Sequence, residues 1–216
     1  YDNATMAIKL KDILEMDSLV YSNTIKKKHQ DRMNGGDGMF TGFDVGQFKS
    51  FPPSKPSSPN MVNELRALEE IVSDMDITGP DKIEGYFKNY LKEFGLEYPK
   101  KVDSILEDSR GIILRLKYHY NRPRPVQVAK AYGLKFHDEP LKSAKTPSYP
   151  SGHAIQGRLI AKFLSDKYPE HTEAIMKLGD EIATSRLIAK VHFISDSKFG
   201  IDIGESLYNF LEKKHD

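Results

Sequence analysis

The stretch Lys101-Val-Asp-Ser-Ile-Leu-Glu-Asp-Ser-Arg-Gly-Ile-Ile-Leu-Arg-Leu-Lys-Tyr-His-Tyr120 decides the fold class. Val102, Ile105, Ile112, Ile113 and Leu116 recur at helical spacing with charges between them, which predicts a helix over 101–120. Pro123 and Pro125 should end it, because proline lacks an amide donor and restricts its predecessor. The same period continues on the C-terminal side. Ser151 reads as the N-cap of a helix carrying Ile155, Leu159, Ile160, Phe163 and Leu164. Pro169 separates it from a helix over about 170–189, with Ile175, Leu178 and Ile182. A last helix over about 195–213 uses Phe199, Ile203, Leu207, Phe210 and Leu211.

On the N-terminal side, Asp81 to Phe94 reads as a helix that follows the Gly79-Pro80 turn and stops at Gly95. Asn60 reads as the cap of a helix to about Ser73, with Leu65, Leu68 and Ile71 on one face. Ala4 to Ile25 carries Met6, Ile8, Leu10, Ile13, Leu14 and Leu19, an amphipathic pattern. The basic run Lys26 to Arg32 reads as a solvated helix end. Residues 34–59, rich in Gly, Pro and Ser, read as a long irregular connection, and 126–149 as mostly loop. No strand-like alternation of useful length occurs, so the fold is read as all-α, a compact helical bundle. Length suggests one domain over 1–216, with 1–60 as an N-terminal helix plus loop and 61–216 as the helical core.

Composition narrows the function classes. Lys+Arg total 32 and Asp+Glu 31, so nothing global argues for nucleic acid or an anionic membrane. The chain has no cysteine, which excludes disulfides, thiolate nucleophiles and Cys-zinc sites. No apolar run approaches the roughly 20 residues that cross a bilayer. A soluble chain is expected, periplasmic or secreted if a signal peptide has been removed and cytoplasmic otherwise.

Chemistry concentrates in three polar segments. Pro150-Ser-Gly-His153 opens a helix, whose unpaired N–H groups and positive dipole end suit an anion. Gly152 permits close backbone approach, and His153 sits in the first turn. His192 and Asp196 are four apart, so a carboxylate can fix one imidazole nitrogen and leave the other as base or nucleophile. Arg186 lies six residues before His192 and can converge with it only if the helix ends between them or Arg186 reaches in from the side; a break is expected near 188–192. Lys117, Arg122 and Arg124 surround a proline-terminated helix end, and guanidinium and ammonium groups suit phosphate oxygens. Each segment alone has an ordinary structural explanation; their combination is harder to explain that way.

In order, Lys-x6-Arg-Pro, Pro-Ser-Gly-His and Ser-Arg-x5-His-x3-Asp resemble the signature of one superfamily. It contains the type 2 phosphatidic acid phosphatases, the class A nonspecific acid phosphatases and the vanadium-dependent haloperoxidases. Lys117, Arg124, Pro125, Pro150, Ser151, Gly152, His153, Ser185, Arg186, His192 and Asp196 match it, over residues 117–196. The resemblance implies a helical bundle and a phosphate cradle of Lys117, Arg124, Ser151, Gly152 and Arg186. It further implies His192 as the nucleophile that forms a phosphohistidine, Asp196 as its orienter, and His153 as general acid and then base. The activity implied is hydrolysis of phosphate monoesters, acid phosphatase-like, with a small-molecule phosphate ester as substrate and no cofactor or metal.

The alternative from the same resemblance is a haloperoxidase in which these residues hold vanadate, with His192 as ligand. A non-catalytic phosphate-binding helical protein is the reading from another class. Soluble relatives commonly pair, so a homodimer is an expectation; a nucleic-acid partner is not. Outside the catalytic set, His119 is a candidate to line the pocket and Arg122 a candidate either to support the site residues from behind or to sit at the pocket rim, whereas His29 reads as surface. Tyr118, Tyr120 and Tyr149 would suit a small aromatic ester, and the loops at 34–59 and 126–149 are expected to frame the pocket.

Overall fold

The computed structural model describes residues 12–138 and 141–214. Among these, every regular element is helical, in agreement with the all-α reading. The α-helices are α1 (Lys27–Asn34), α2 (Pro59–Glu69), α3 (Ile83–Glu93), α4 (Lys101–Tyr120), α5 (Pro125–Ala131), α6 (Gly152–Lys167), α7 (Thr172–Ile188) and α8 (Ile194–Lys214).

α6 is the centre. Ala154, Ile155, Leu159, Ile160, Ala161 and Leu164 are all buried, because α7 and α8 pack along it and α4 covers another face. α8 can lie so close because its contact positions are glycines. A Cβ on Gly200 would sit 2.7 Å from the Ser151 carbonyl oxygen, and one on Gly204 2.6 Å from that of Ile155. A smaller cluster, Met61, Leu65, Val128, Ala129 and Phe193, joins α2, α5 and the turn before α8. It sets α2 against the site.

Several boundaries differ from expectation, each for a local reason. α4 ends because Asn121 takes the left-handed conformation (φ 48°), and its N–H closes on the Lys117 carbonyl at 2.8 Å. Pro125 therefore starts a helix rather than ending one: α5 falls inside the stretch expected to be loop, with proline in its first turn. The Gln127 side chain accepts from the Arg124 N–H at 2.9 Å. Ser58, not Asn60, caps α2, and the helix stops at Glu69.

The 34–59 connection is not featureless. It holds 3₁₀ turns at Gly38–Phe40 and Val45–Phe48, whose Phe40 and Phe48 are core residues. The expected helix over Ala4 to Ile25 is helical only at 12–17 among the described residues; Met6, Ile8 and Leu10 lie outside them. The run Lys26 to Arg32 forms most of a separate helix, α1, packed against α4.

Candidate active site

The chain break that brings Arg186 and His192 together lies between α7 and α8. Lys190 is left-handed there (φ 62°), and the Val191 N–H bonds the Arg186 carbonyl at 3.1 Å. The Lys190 ammonium donates to the carbonyls of Leu68 and Ile71, fastening this turn to the end of α2. α8 then opens with Asp196 in its first turn. Its Oδ2 accepts the Phe193 N–H at 2.8 Å, one half of a capping box, at the positive end of the helix dipole.

His192 Nδ1 is 3.0 Å from the same Oδ2. An ionised carboxylate only accepts, so Nδ1 carries the proton. Nε2 faces an Arg124 N–H at 3.0 Å and must be the acceptor. The tautomer is thereby fixed from both sides. Burial, then the nearby Arg124 charge, holds the His192 imidazole well below its usual range despite Asp196. His192 is thus neutral near pH 7, with an unprotonated Nε2 on the cavity wall whose lone pair accepts from Arg124.

Asp196 is fully buried. Burial alone would raise its pKa, but Arg122, His192 and Ser148 outweigh it and hold the carboxyl at about 2. Arg122 donates to Asp196 Oδ1 at 2.6 Å, to Glu64 on α2 at 2.8 Å and to Ser195 at 2.9 Å. Its guanidinium lies 4.1 Å from the Phe193 ring centre. Ser148 donates to Asp196 Oδ2, and Ser195 to Glu64. Of the two places expected for Arg122, the structure shows the one behind the cavity wall: it is a buried brace behind His192. Glu64, Ser148 and Ser195 complete a support that sequence reasoning missed. Pairing of buried charges across 58 or 74 residues leaves no local pattern to read.

Lys117 donates to the Pro147 carbonyl at 2.8 Å. Arg124 donates to the carbonyls of Thr146 and Val191, at 2.8 and 2.9 Å. Burial pushes the lysine well below its ordinary range and the arginine down to about 10. Arg186, almost wholly buried, binds Asp81 Oδ1 at 2.8 Å and Ser143 Oγ at 3.1 Å. Asp81 ends a 3₁₀ turn, Gly79–Asp81. Its carbonyl accepts from His153 Nε2 at 2.8 Å, so one residue engages both the imidazole and the guanidinium. Burial, then Arg186, lowers His153 to about 4. The site thus lowers both imidazoles and holds both neutral near pH 7.

These groups wall one cavity of about 450 Å³, which includes Lys117, Arg124, Gly152, His153, Arg186 and His192. Two of the predicted site residues stand behind that wall. Asp196 is screened by His192. Ser151 is fully buried, its Oγ accepting the Ala154 N–H at 3.2 Å as the α6 cap and its N–H donating to the Asp196 carbonyl at 3.0 Å. At that first turn the Gly152 backbone, whose N–H has no carbonyl one turn earlier, is on the cavity wall.

Among the described residues, the 126–149 loop contributes Ser143, Ala144 and Thr146 to the cavity, and 34–59 contributes nothing. His119 is exposed, Tyr149 stacks on Phe199 in the core, and the half-buried Tyr120 meets Phe199 edge-on. His29, read as surface, lines the mouth and bonds the Tyr118 hydroxyl at 2.9 Å. No group of three or more His, Asp or Glu capable of holding a metal ion occurs among the described residues.

Three buried basic side chains, a helix N-terminus and an oriented imidazole line one cavity in an all-α fold, a set whose chemistry suits an oxyanion. Residues 109–213 match the PAP2 superfamily. The non-specific acid phosphatase of Providencia stuartii is 35% identical over 101 residues, 46% of this chain and 40% of that protein. That of Salmonella typhimurium is 35% identical over 88 residues, covering 41% and 35%. The matched stretch thus spans well under half the length of either relative. Among solved structures, a bacterial vanadium-dependent iodoperoxidase shares the fold, with a TM-score of 0.58 and 17% identity over 80% of this chain and 54% of that one. No helix among the described residues is long and apolar enough to cross a membrane.

Proposed function

We propose that the chain hydrolyses phosphate monoesters through a phosphohistidine on His192. The observation that carries this reading is the unprotonated Nε2 of a neutral, carboxylate-oriented imidazole, which accepts from Arg124 at 3.0 Å in a cavity that also holds Lys117 and Arg186. Phosphoryl transfer demands mainly positioning and charge neutralisation, which these fixed cations supply.

A phosphate dianion enters between Lys117, Arg124, Arg186 and the Gly152 amide. Its charge favours the imidazolium of His153, which burial and Arg186 disfavour in its absence. The His192 Nε2 lone pair forms the bond to phosphorus. The ester P–O bond breaks, and the leaving oxygen takes the His153 proton. His153, now neutral, accepts a proton from water as that water attacks phosphorus. The P–N bond then breaks, returning His192 and releasing inorganic phosphate. Asp196 keeps the Nδ1 proton in place throughout and offsets the positive charge that develops on the ring.

The same residues would hold vanadate with His192 as its ligand, which is the haloperoxidase reading. One experiment separates the readings. Hydrolysis of p-nitrophenyl phosphate inhibited by orthovanadate, with an acid-labile phosphoenzyme lost in His192→Ala, supports phosphatase action. Halide oxidation by peroxide that requires vanadate, without hydrolysis, overturns it. A phosphoenzyme that survives His192→Ala removes the nucleophile assignment.

A further inference from the structure

The cavity holds more positive charge than one phosphate needs. Besides Lys117, Arg124 and Arg186 it is lined by Lys28, Arg32 and Arg110, and among the described residues none that lines it is acidic. The extra cations are grouped at the mouth. Arg110 and Lys117 lie seven residues apart on α4, hence on one face, two turns and about 10 Å apart. Between them the same face offers Ile113 and Leu114 to the cavity. Lys28 and Arg32 lie four apart on α1, one turn above the other. One carboxylate serves both arginines: Glu107 pairs with Arg32 and, at 3.5 Å, with Arg110. Lys28 has no ion-pair partner among the described residues. The basic run that reads in sequence as a solvated helix end thus contributes to the entrance of the site.

We propose that the preferred substrate carries a second phosphate, about 10 Å from the one cleaved, bound by Lys28, Arg32 and Arg110. This deepens the phosphatase reading and rests on it. A dianion fits better than a carboxylate, because three cations share a single protein carboxylate there. A compact six-carbon scaffold matches the span, with Ile113 and Leu114 against its carbon skeleton. A single-phosphate ester fills only the inner cradle.

The test compares glucose 1,6-bisphosphate, glucose 6-phosphate and 6-phosphogluconate, measuring phosphate release by the wild-type protein. Expected is a kcat/KM about tenfold higher for the bisphosphate than for the monophosphate, mostly through KM. The advantage should shrink as salt rises, since the rim side chains are exposed and screened. In Lys28→Ala/Arg110→Ala the ratio should fall to about one. Glu107→Gln, which frees both arginines, should raise it. These side chains are at the surface, so the fold should survive each change.

Equal kcat/KM for bisphosphate and monophosphate, or a preference that persists in the double variant, overturns the proposal. So does equal preference for 6-phosphogluconate, which would assign the rim to carboxylates. If the wild-type protein hydrolyses nothing, the phosphatase reading fails on its own. Calorimetric binding of the same three compounds then decides the rim: tighter bisphosphate binding lost in the double variant upholds it, and equal binding overturns it.

Discussion

Replacing Arg122 by methionine removes the brace behind His192 while keeping much of its volume. The guanidinium serves two carboxylates of unequal burial. Asp196 is fully enclosed, whereas the Glu64 side chain is 18% exposed and can turn to water. Breaking a buried pair on one side costs about 3–5 kcal/mol, because the other charge stays buried. The Glu64 contact adds at most about 1 kcal/mol. A thioether against the Phe193 ring recovers part of the lost aromatic contact. The expected loss at pH 7 is therefore about 3–4 kcal/mol, read by urea unfolding.

The loss must also depend on pH. Asp196 is held at about 2, below the ordinary 3.8, so its ionised form stabilises the native state by about 2 kcal/mol. That contribution is complete above pH 3.8 and disappears as pH falls through 2. Without Arg122 the folded pKa rises, so the variant's deficit should shrink between about pH 4 and pH 2. Arg122→Lys, which keeps the charge but not the fork, should fall between the two. A deficit below 1 kcal/mol at pH 7, or one that is the same at pH 7 and pH 3, refutes the view that Arg122 chiefly neutralises Asp196.

Asp81→Asn should bind inorganic phosphate several-fold more tightly in a competition assay, because Arg186 no longer pairs with a carboxylate. Asp196→Asn should lower kcat on the order of 10³-fold or more, with near-native circular dichroism, since an amide can accept or donate and leaves the His192 tautomer unfixed. The pH profile of kcat/KM should lose its basic limb at lower pH than that of kcat, because kcat/KM reports His153 before the dianion raises it; coincident limbs, or a flat profile from pH 4 to 9, count against the two-histidine scheme. Gly200→Ala should cost about 1–3 kcal/mol in thermal or urea unfolding, as its Cβ meets the Ser151 carbonyl and Ala154.

The parts of the molecule that sequence revealed are those with local codes. The period of Val102 to Leu116 defines α4, and Ser151 before Gly152 marks the start of α6. The six-residue spacing of Arg186 and His192 required a break, found at Lys190. What stayed hidden depends on distant partners. α5 is seven residues long and too short to show periodicity. Phe40 and Phe48 are buried by contact with α4 and α8 rather than by any pattern around them. Glu64 is one acidic residue among many until α2 is laid against Arg122. The role of Lys28 and Arg32 required knowing that α1 crosses α4 beside Lys117.

The cations of the site differ in what holds them. Arg122 faces two carboxylates and Arg186 one, whereas Lys117 and Arg124 are held mostly by peptide carbonyls, those of Pro147, Thr146 and Val191. A carbonyl orients a positive group without cancelling it. Lys117 and Arg124 therefore have no carboxylate to release when an anion arrives, Arg186 has one, and Arg122 is already engaged by two. Since any residue supplies a peptide carbonyl, the 126–149 segment can change much of its side-chain sequence and still orient Lys117 and Arg124 through the carbonyls of Thr146 and Pro147.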